Sequence, residues 1–410
     1  MPGAVWSPSV TEGRPLLEES RSLLPQMVAV RRQLHRRPEI GLGLPETQRT
    51  VVDELAKLGL APQLGRAVSS VTATIDGGQA GPTLILRADM DALPLQEETG
   101  LDFSSEIDGV MHACGHDTHV AMLLGGARLL VERRESLAGR VLLMFQPGEE
   151  GHHGARSMLE EGLLDDLEGK QAPTGAFALH IGTRYRSGTI NLRPGPLLAS
   201  SDVLRISVRG RGGHASAPHL AADPITTAAQ VILALQTMVT RSIDVFDPAV
   251  ITIANVVAGT TNNIIPESAF LQGTIRTVSE ETRGAVRDRV RRVVEGTCAA
   301  AGTVAELEIE PGYPVTINDA GFTDLVAEVA GTLVPPDEVV DLAAPIMGAE
   351  DFSYLLQRVP GTMAFIGARA PELDPATAPQ NHSNRVVFDE SVMPVGAAMY
   401  AGVALRHLRS

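Results

Sequence analysis

The sequence predicts an α/β protein: a main domain with a largely parallel sheet flanked by helices, interrupted by an inserted α+β domain of split-βαβ (ferredoxin-like) type. Three observations carry that prediction. Short apolar runs alternate with segments of helical periodicity towards both ends of the chain. The middle of the sequence reads in the order β-α-β-β-α-β. At 410 residues the chain also exceeds what one hydrophobic core ordinarily fills, so two domains are expected.

The elements follow in order. Residues 1–15 read as a loose N-terminal extension. Helical patterns cover Leu16–Arg37 and Glu46–Leu58, and the apolar run Leu84–Ala88 is a buried strand delivering Asp89 and Asp91 at its end. A helix over Thr118–Arg134 precedes the strand Val141–Phe145, which runs into a Pro- and Gly-broken turn carrying Glu149 and Glu150. Gly175–Leu179 is a further strand, ending on His180. In the insertion, Leu204, Ile206 and Val208 alternate with polar residues, and Ala228, Val231, Ile232, Leu235 and Met238 fall at helical spacing within Ala221–Met238. Strands over Val250–Val256 and Ala269–Ile275 come next. An amphipathic helix over Glu280–Ala301 presents Val286, Val290, Val293 and Val294 on one face, and Val304–Ile309 alternates again. Helices over Gly321–Leu333 and Glu390–Leu408 complete the main domain, with low complexity confined to the Pro/Ala-rich Ala368–Pro379. The expected organisation is thus 16–197 and 313–410 for the main domain and 198–312 for the insertion. No internal repeat is found.

A net charge of −15 and a pI near 5.2 argue against nucleic acid or an anionic membrane surface as partner. Cys114 and Cys298 are too few for a disulfide framework, which fits a reducing cytoplasm. The first residues lack a basic stretch followed by a long apolar core, so no secretory signal is expected, and no apolar run is of membrane-spanning length.

Chemistry concentrates in Cys114-Gly-His116-Asp117-Thr-His119. A thiol and an imidazole two residues apart on a Gly-containing loop suit zinc and its first-row neighbours. Alone, the pair reads more readily as a buried thiol beside a surface histidine. Further ligand types nevertheless arrive at the ends of apolar segments, Asp89 and Asp91, Glu149 and Glu150, and His180, while His382 within Asn381-His-Ser-Asn384 follows a Pro/Ala-rich loop and precedes a helical segment. Each has an ordinary alternative, as turn caps for the aspartates, a solvated charge pair for the glutamates, and a backbone hydrogen bond for His180. Ligands converging at the carboxyl ends of several strands match the crevice of an open α/β sheet. In the insertion, His214 lies on a Gly-rich turn, Asn262 and Asn263 fall between strands, and Arg276 ends a strand where it could grip a carboxylate or pair with Glu280 or Glu281.

The ordered motifs Leu34-His-Arg-Arg-Pro-Glu39, Arg87-Ala-Asp-Met-Asp-Ala-Leu-Pro94, His112-Ala-Cys-Gly-His-Asp117, Gln146-Pro-Gly-Glu-Glu150, Ala178-Leu-His180, Gly212-Gly-His-Ala215 and Asn262-Asn-Ile-Ile-Pro266 resemble the aminoacylase/carboxypeptidase family of metallopeptidases. The likeness is to the amidohydrolase branch, which includes hippurate and indole-acetyl-amino-acid hydrolases, and it runs from Arg31 to Leu405. It implies a metallopeptidase catalytic domain with a lid or dimerisation insertion. It further implies two divalent transition-metal ions (zinc, manganese, cobalt or nickel) on Cys114, His116, Glu150, His180 and His382, with Glu149 as general base. His214, Asn263 and Arg276 would bind the carbonyl and carboxylate of an N-acyl amino acid, and Asp91 would orient a ligand from behind, as would His112 or His119. The wider family's His-x-Asp is Asp89-Met-Asp91 here, leaving open which residue bridges the metals. The resemblance also implies a homodimer in which His214 serves the partner's site. A dipeptidase or carboxypeptidase with the same centre, and a catalytically silent metal-binding scaffold, are the competing expectations.

Overall fold

The computed structural model describes residues 13–165, 167 and 169–409. Most of the expected 1–15 extension lies outside the described residues, and Gly13 already opens a helix. Two compact units emerge. The first holds the described residues up to Gly195, with Ile317–Ala343 and those from Tyr354 on; the second holds Pro196–Thr316 and Ala344–Ser353. Residues 344–353 therefore group with the second unit, although the sequence placed them in the 313–410 segment.

The first unit begins with α1 (Gly13–Ser22), α2 (Leu24–Arg36), α3 (Pro45–Lys57), β1 (Gln63–Leu64), β2 (Val71–Asp76) and β3 (Gln79–Asp89). It continues through α4 (His116–Val131), β4 (Ala138–Gln146), α5 (Gly154–Glu160), β5 (Pro173–Arg186) and β6 (Ile190–Leu192). After β7 (Gly195–Leu198) the second unit supplies β8 (Asp202–Arg209), β9 (Gly213–His214), α6 (Pro224–Ser242), β10 (Ala249–Ala258) and β11 (Ile264–Ile265). It then runs through β12 (Ser268–Thr277), α7 (Glu280–Ala300) and β13 (Val304–Pro311). The remainder is β14 (Thr316–Asn318), α8 (Ala320–Leu333), β15 (Val339–Asp341), α9 (Ser353–Leu356), β16 (Gly361–Arg369) and α10 (Met393–His407).

The large sheet of the first unit has the order β1-β2-β4-β3-β5-β16-β6-β15. As expected the sheet is largely parallel, with antiparallel pairing at β1–β2, β2–β4 and β6–β16 making it mixed towards its margins. β3, β4, β5 and β16 are apolar runs buried on both faces, whereas β2 alternates because one side is partly exposed. The helix expected over 16–37 is split after Ser22, since Pro25 in the first turn of α2 has no N–H to continue α1. Pro394 likewise opens α10, preceded by a 3₁₀ turn over Glu390–Val392.

Two features place the site. β3 stops at Asp89, opposite Gln146 at the end of β4, while β5 runs on to Arg186. His180 is thus not at a strand end but on the part of β5 that outruns β3, where Phe365 of β16 is its neighbour. Behind the sheet, α4 is buried almost all round. A Cβ on Gly126 would meet the Tyr400 Cβ at 2.8 Å, so this glycine lets α10 press against α4. From there the Tyr400 hydroxyl donates to Arg87 O (2.8 Å) and accepts from Leu179 N (3.3 Å), tying α10 to both central strands.

The second unit is a four-stranded antiparallel sheet in the order β10-β12-β8-β13. Leu204, Ile206 and Val208 of β8 bury against Val231 and Leu235 of α6 and Val286, Val290 and Val294 of α7. Asp223 and Ser279 cap the two helices through Ile225 N and Thr282 N. The alternate residues Arg205 and Arg209 carry ion pairs to Glu310 and Glu306 of β13. This is the expected split-βαβ pattern.

Candidate metal centre

The centre is built in the first unit at the carboxyl ends of β3 and β4. Gly115 has φ +87°, and a Cβ there would lie 2.5 Å from the Ile181 Cγ2, so the turn between Cys114 and His116 requires glycine. His116 then opens α4. Its Nδ1 donates to Asp91 O (2.9 Å), which turns Nε2 towards the site. That Nε2 is buried, has no hydrogen-bond partner, and lies 3.5 Å from Asp89 and 4.0 Å from Glu150 Oε1. His180 repeats the arrangement. Its Nδ1 donates to Ile181 O (2.7 Å), and its Nε2 faces Cys114 Sγ at 3.4 Å. The ordinary role expected of His180, a backbone bond, and the ligand role thus use different nitrogens of one ring.

Glu149 and Glu150 are not a solvated charge pair. Glu149 is only 6 % exposed, and Asp91 accepts the N–H of Glu149 at Oδ1 (2.9 Å) and of Glu150 at Oδ2 (3.0 Å). One aspartate therefore grips the turn bearing both glutamates and, through its carbonyl, the imidazole of His116. Opposite, His382 Nε2 stands 3.2 Å from Glu150 Oε1, and the His382 N–H donates to Ala113 O (2.9 Å).

Among the groups of potential ligand atoms that lie within 4.8 Å of one another, two share Cys114: Cys114–His116–His180 and Cys114–Glu150–His382. Electrostatics favour positive charge between them. Hydrogen bonding to Cys114 and then to Glu150 raises His382 to about 10. Burial opposes ionisation of Glu150, yet bonding to His382 and the charge of His116 hold its carboxyl below the usual range. Burial and the Glu150 charge push the Cys114 thiol up, so a thiolate there calls for a compensating cation. A soft sulfur, two imidazoles held at Nδ1 by backbone carbonyls with Nε2 turned to the sulfur side, and a carboxylate form a donor set that fits first-row transition metals.

His119 is not part of that set. Its Nε2 accepts from Ile181 N (2.8 Å), so its proton is on Nδ1 and goes to Asp89. Asp89 is also paired with Arg87 at 2.6 Å, and Arg87 in turn donates to Gln146 Oε1 (2.9 Å). Burial disfavours the Asp89 charge, but Arg87 and the two histidines hold its carboxyl well below the usual range. In the sequence Arg87 stands out only as part of a motif, and its spacing two residues before Asp89 on one strand face is the signal for this pairing. His112 is buried, with neither ring nitrogen hydrogen-bonded, and burial lowers it to about 3.

Of the substrate residues expected in the second unit, His214 and Asn263 are brought together. β9 pairs with β11, and Ala215 N donates to Asn263 O (3.1 Å). The His214 Nδ1 accepts from Ser216 N (3.1 Å) and faces its hydroxyl at 2.7 Å, leaving Nε2–H to donate outward. Arg276 is half-buried on β12 and pairs with neither Glu280 nor Glu281; Glu280 is engaged by Arg283 instead.

The profile of peptidase family M20/M25/M40 matches residues 85–406. The chain belongs to this family. This M20 chain is 40 % identical over 395 residues to thermostable carboxypeptidase 1 of Saccharolobus solfataricus, covering 95 % of itself and 98 % of that protein. It is 37 % identical over 384 residues to the N-acetylcysteine deacetylase of Bacillus subtilis, covering 93 % and 96 %. Among solved structures, the Bacillus subtilis YXEP protein, described as a dinuclear metal binding peptidase of family M20, superposes with a TM-score of 0.81. Identity to it is 34 %, with 94 % of this chain and 99 % of that one covered. As an M20 member the protein is a hydrolase acting on amide bonds.

Proposed function

We propose that the protein hydrolyses the amide bond of N-acyl amino acids, giving a carboxylic acid and a free amino acid. The single observation that carries this reading is the pair of carbonyl-held imidazoles, His116 and His180, which turn their Nε2 atoms towards Cys114 and the buried Glu149–Glu150 turn. Cys114, His116, Glu150, His180 and His382 would hold two divalent transition-metal ions, with Cys114 common to both ligand groups. Such ions supply Lewis acidity and lower the pKa of water towards neutrality.

The chain's own groups do the rest. Glu149, held by Asp91 next to Glu150, takes the proton of the attacking water and returns it to the leaving nitrogen. His214, its Nδ1 occupied by Ser216, donates from Nε2 to the developing oxyanion. Asn263 orients the carbonyl, and Arg276 grips the substrate carboxylate. The deacetylase relative supports an N-acyl substrate. The carboxypeptidase relative keeps a dipeptide-type substrate as the second reading.

A homodimer completes the proposal, with His214 serving the partner's site. β10 is an edge strand exposing Val250, Val256 and Val257, which supports pairing with a second copy. Two unpaired cysteines are in keeping with a reducing cytoplasm, and among the described residues no helix is long and apolar enough to cross a membrane.

The deciding experiment assays chelator-stripped protein, reloaded with Mn²⁺, Co²⁺ or Zn²⁺, on N-acetyl amino acids, hippurate and dipeptides. Faster turnover of dipeptides than of every N-acyl amino acid would replace the leading reading by the second. Mixing Glu149→Gln with His214→Ala under verified subunit exchange tests the trans role: activity returns in part, or His214 does not act across the dimer.

A further inference from the structure

His382 differs from the other candidate ligands. Its side chain is 55 % exposed, so packing does not orient it, and its backbone is left-handed at φ +69°, a conformation that residues with side chains rarely adopt. Something on the main chain must therefore hold it. Its own N–H bond to Ala113 O is one anchor. The other is the preceding side chain.

We infer that Asn381 is a positioning residue that locks three ligand-bearing segments, those of Cys114, His180 and His382, into one geometry; the inference rests on the ligand set proposed above. The Asn381 Nδ2 donates to Cys114 O (3.1 Å) and to Ile181 O (3.0 Å), and Oδ1 accepts from Thr183 N (3.3 Å). Both acceptors being carbonyls and the donor an amide, only one orientation of the group satisfies all three. Ile181 is the residue after His180, and its carbonyl is the one that holds the His180 Nδ1. Asn381 thus touches the loop of one ligand, the backbone clamp of a second, and is joined in sequence to a third.

The contact has an electrostatic side. Nδ2 lies 4.0 Å from Cys114 Sγ, so the positive end of the amide dipole faces the sulfur that must become a thiolate to bind metal. An aspartate at 381 keeps the shape and the Thr183 bond. It loses both donor bonds and sets a carboxylate against the sulfur. Thr183 Oγ1 donates to Pro379 O (2.8 Å), so the segment stays roughly in place when Asn381 changes, and the loss falls on fine geometry.

The test titrates chelator-stripped full-length protein with Co²⁺. It follows the thiolate-to-cobalt charge-transfer absorption and measures affinity by competition with a chelating dye. Asn381→Ala should bind cobalt about 10–100-fold more weakly with an altered band, as expected for groups that orient ligands. Asn381→Asp should be weaker still. Leu55→Ala, a cavity in the packing of α3, serves as the comparison: it should lower the melting temperature of the stripped protein while keeping wild-type affinity and band. Wild-type affinity and band in a folded Asn381 variant would overturn the inference. Should Asn381→Ala not fold, the shape-preserving Asn381→Asp carries the same measurement. If wild-type protein itself shows no thiolate band, the ligand set fails and this inference falls with it. A wild-type band retained by the variants sinks the positioning role alone.

Discussion

Removal of the Arg31 guanidinium is the sharpest probe of how the metal loop is supported. Arg31 and Asp117 are both buried, and Arg31 Nε pairs with Asp117 Oδ2 at 2.8 Å. Asp117 follows His116 directly, in the first turn of α4, so whatever restrains its carboxylate restrains the ligand beside it. The same oxygen faces His35 Nδ1 at 2.8 Å, and Arg31 Nη1 reaches Glu390 Oε1 at 3.1 Å. Burial alone would push the Asp117 carboxyl up, but Arg31 and then His35 hold it far below the usual range. Arg31→Met keeps most of the volume and leaves the Asp117 charge with His35 as its only cationic contact. Breaking a buried pair in this way costs roughly 3–5 kcal/mol, and the surviving His35 places the expectation at the lower end, about 3 kcal/mol. For a unit of this size that corresponds to a fall of roughly 6–12 °C in melting temperature. Calorimetry of chelator-stripped protein at pH 7 measures it. Adding Asp117→Asn should recover part of the loss, because the stranded charge is then gone. A fall below about 2 °C, or a double variant whose loss equals the sum of the single ones, refutes the argument.

Three further outcomes follow from the same geometry. Glu149→Gln should lower turnover by roughly two to four orders of magnitude with metal content unchanged, whereas Glu150→Gln should lose metal; metal analysis beside kinetics distinguishes them, and swapped phenotypes reverse the assignment. The His35 cluster should give a bell-shaped stability advantage over His35→Gln. Burial opposes the charge of His35, but Asp117 raises its pKa, so its contribution is complete below about 6.5 and fades as pH rises through the raised folded value. Glu97, despite burial, is lowered to about 2 by its bonds from His35 and Ser105, so its contribution holds above about 4.5 and is lost as pH falls towards 2. Melting curves from pH 3 to 9 should therefore show the widest gap near pH 5–6, and a gap that grows above pH 8 contradicts this reading. Gly115→Ala should abolish metal binding and cost about 1–3 kcal/mol, because a Cβ at φ +87° would collide with Ile181; normal cobalt binding by this variant would show that the loop tolerates the change.

Much of this protein was legible in its sequence because the signals are local. Period-two alternation marked β8 and β13, and helical spacing marked α6 and α7. The ligand-type residues Cys114, His116, Glu149, Glu150, His180 and His382 stood out by chemistry, and Glu149, Glu150 and His180 also by their place after apolar runs. Their nearness is what the folded chain adds: β3 and β4 end together while β5 runs on, which sets His180 beside Cys114. Alternation of strands with helices marked the largely parallel sheet, but its antiparallel margins were not legible, since an apolar run looks the same in a parallel or antiparallel neighbourhood. Nor could the sequence apportion the histidines. His116 and His119 are both buried imidazoles on α4, yet one offers a free nitrogen and the other has none, because Asp91 O holds the first at one nitrogen while Ile181 N and Asp89 engage both nitrogens of the second. Asp91 and Asn381 draw their roles from backbone groups far away in sequence. Composition and spacing determine which atoms are available for chemistry; only tertiary structure decides which are already spent on hydrogen bonds, because those partners come from segments that meet only when the chain folds.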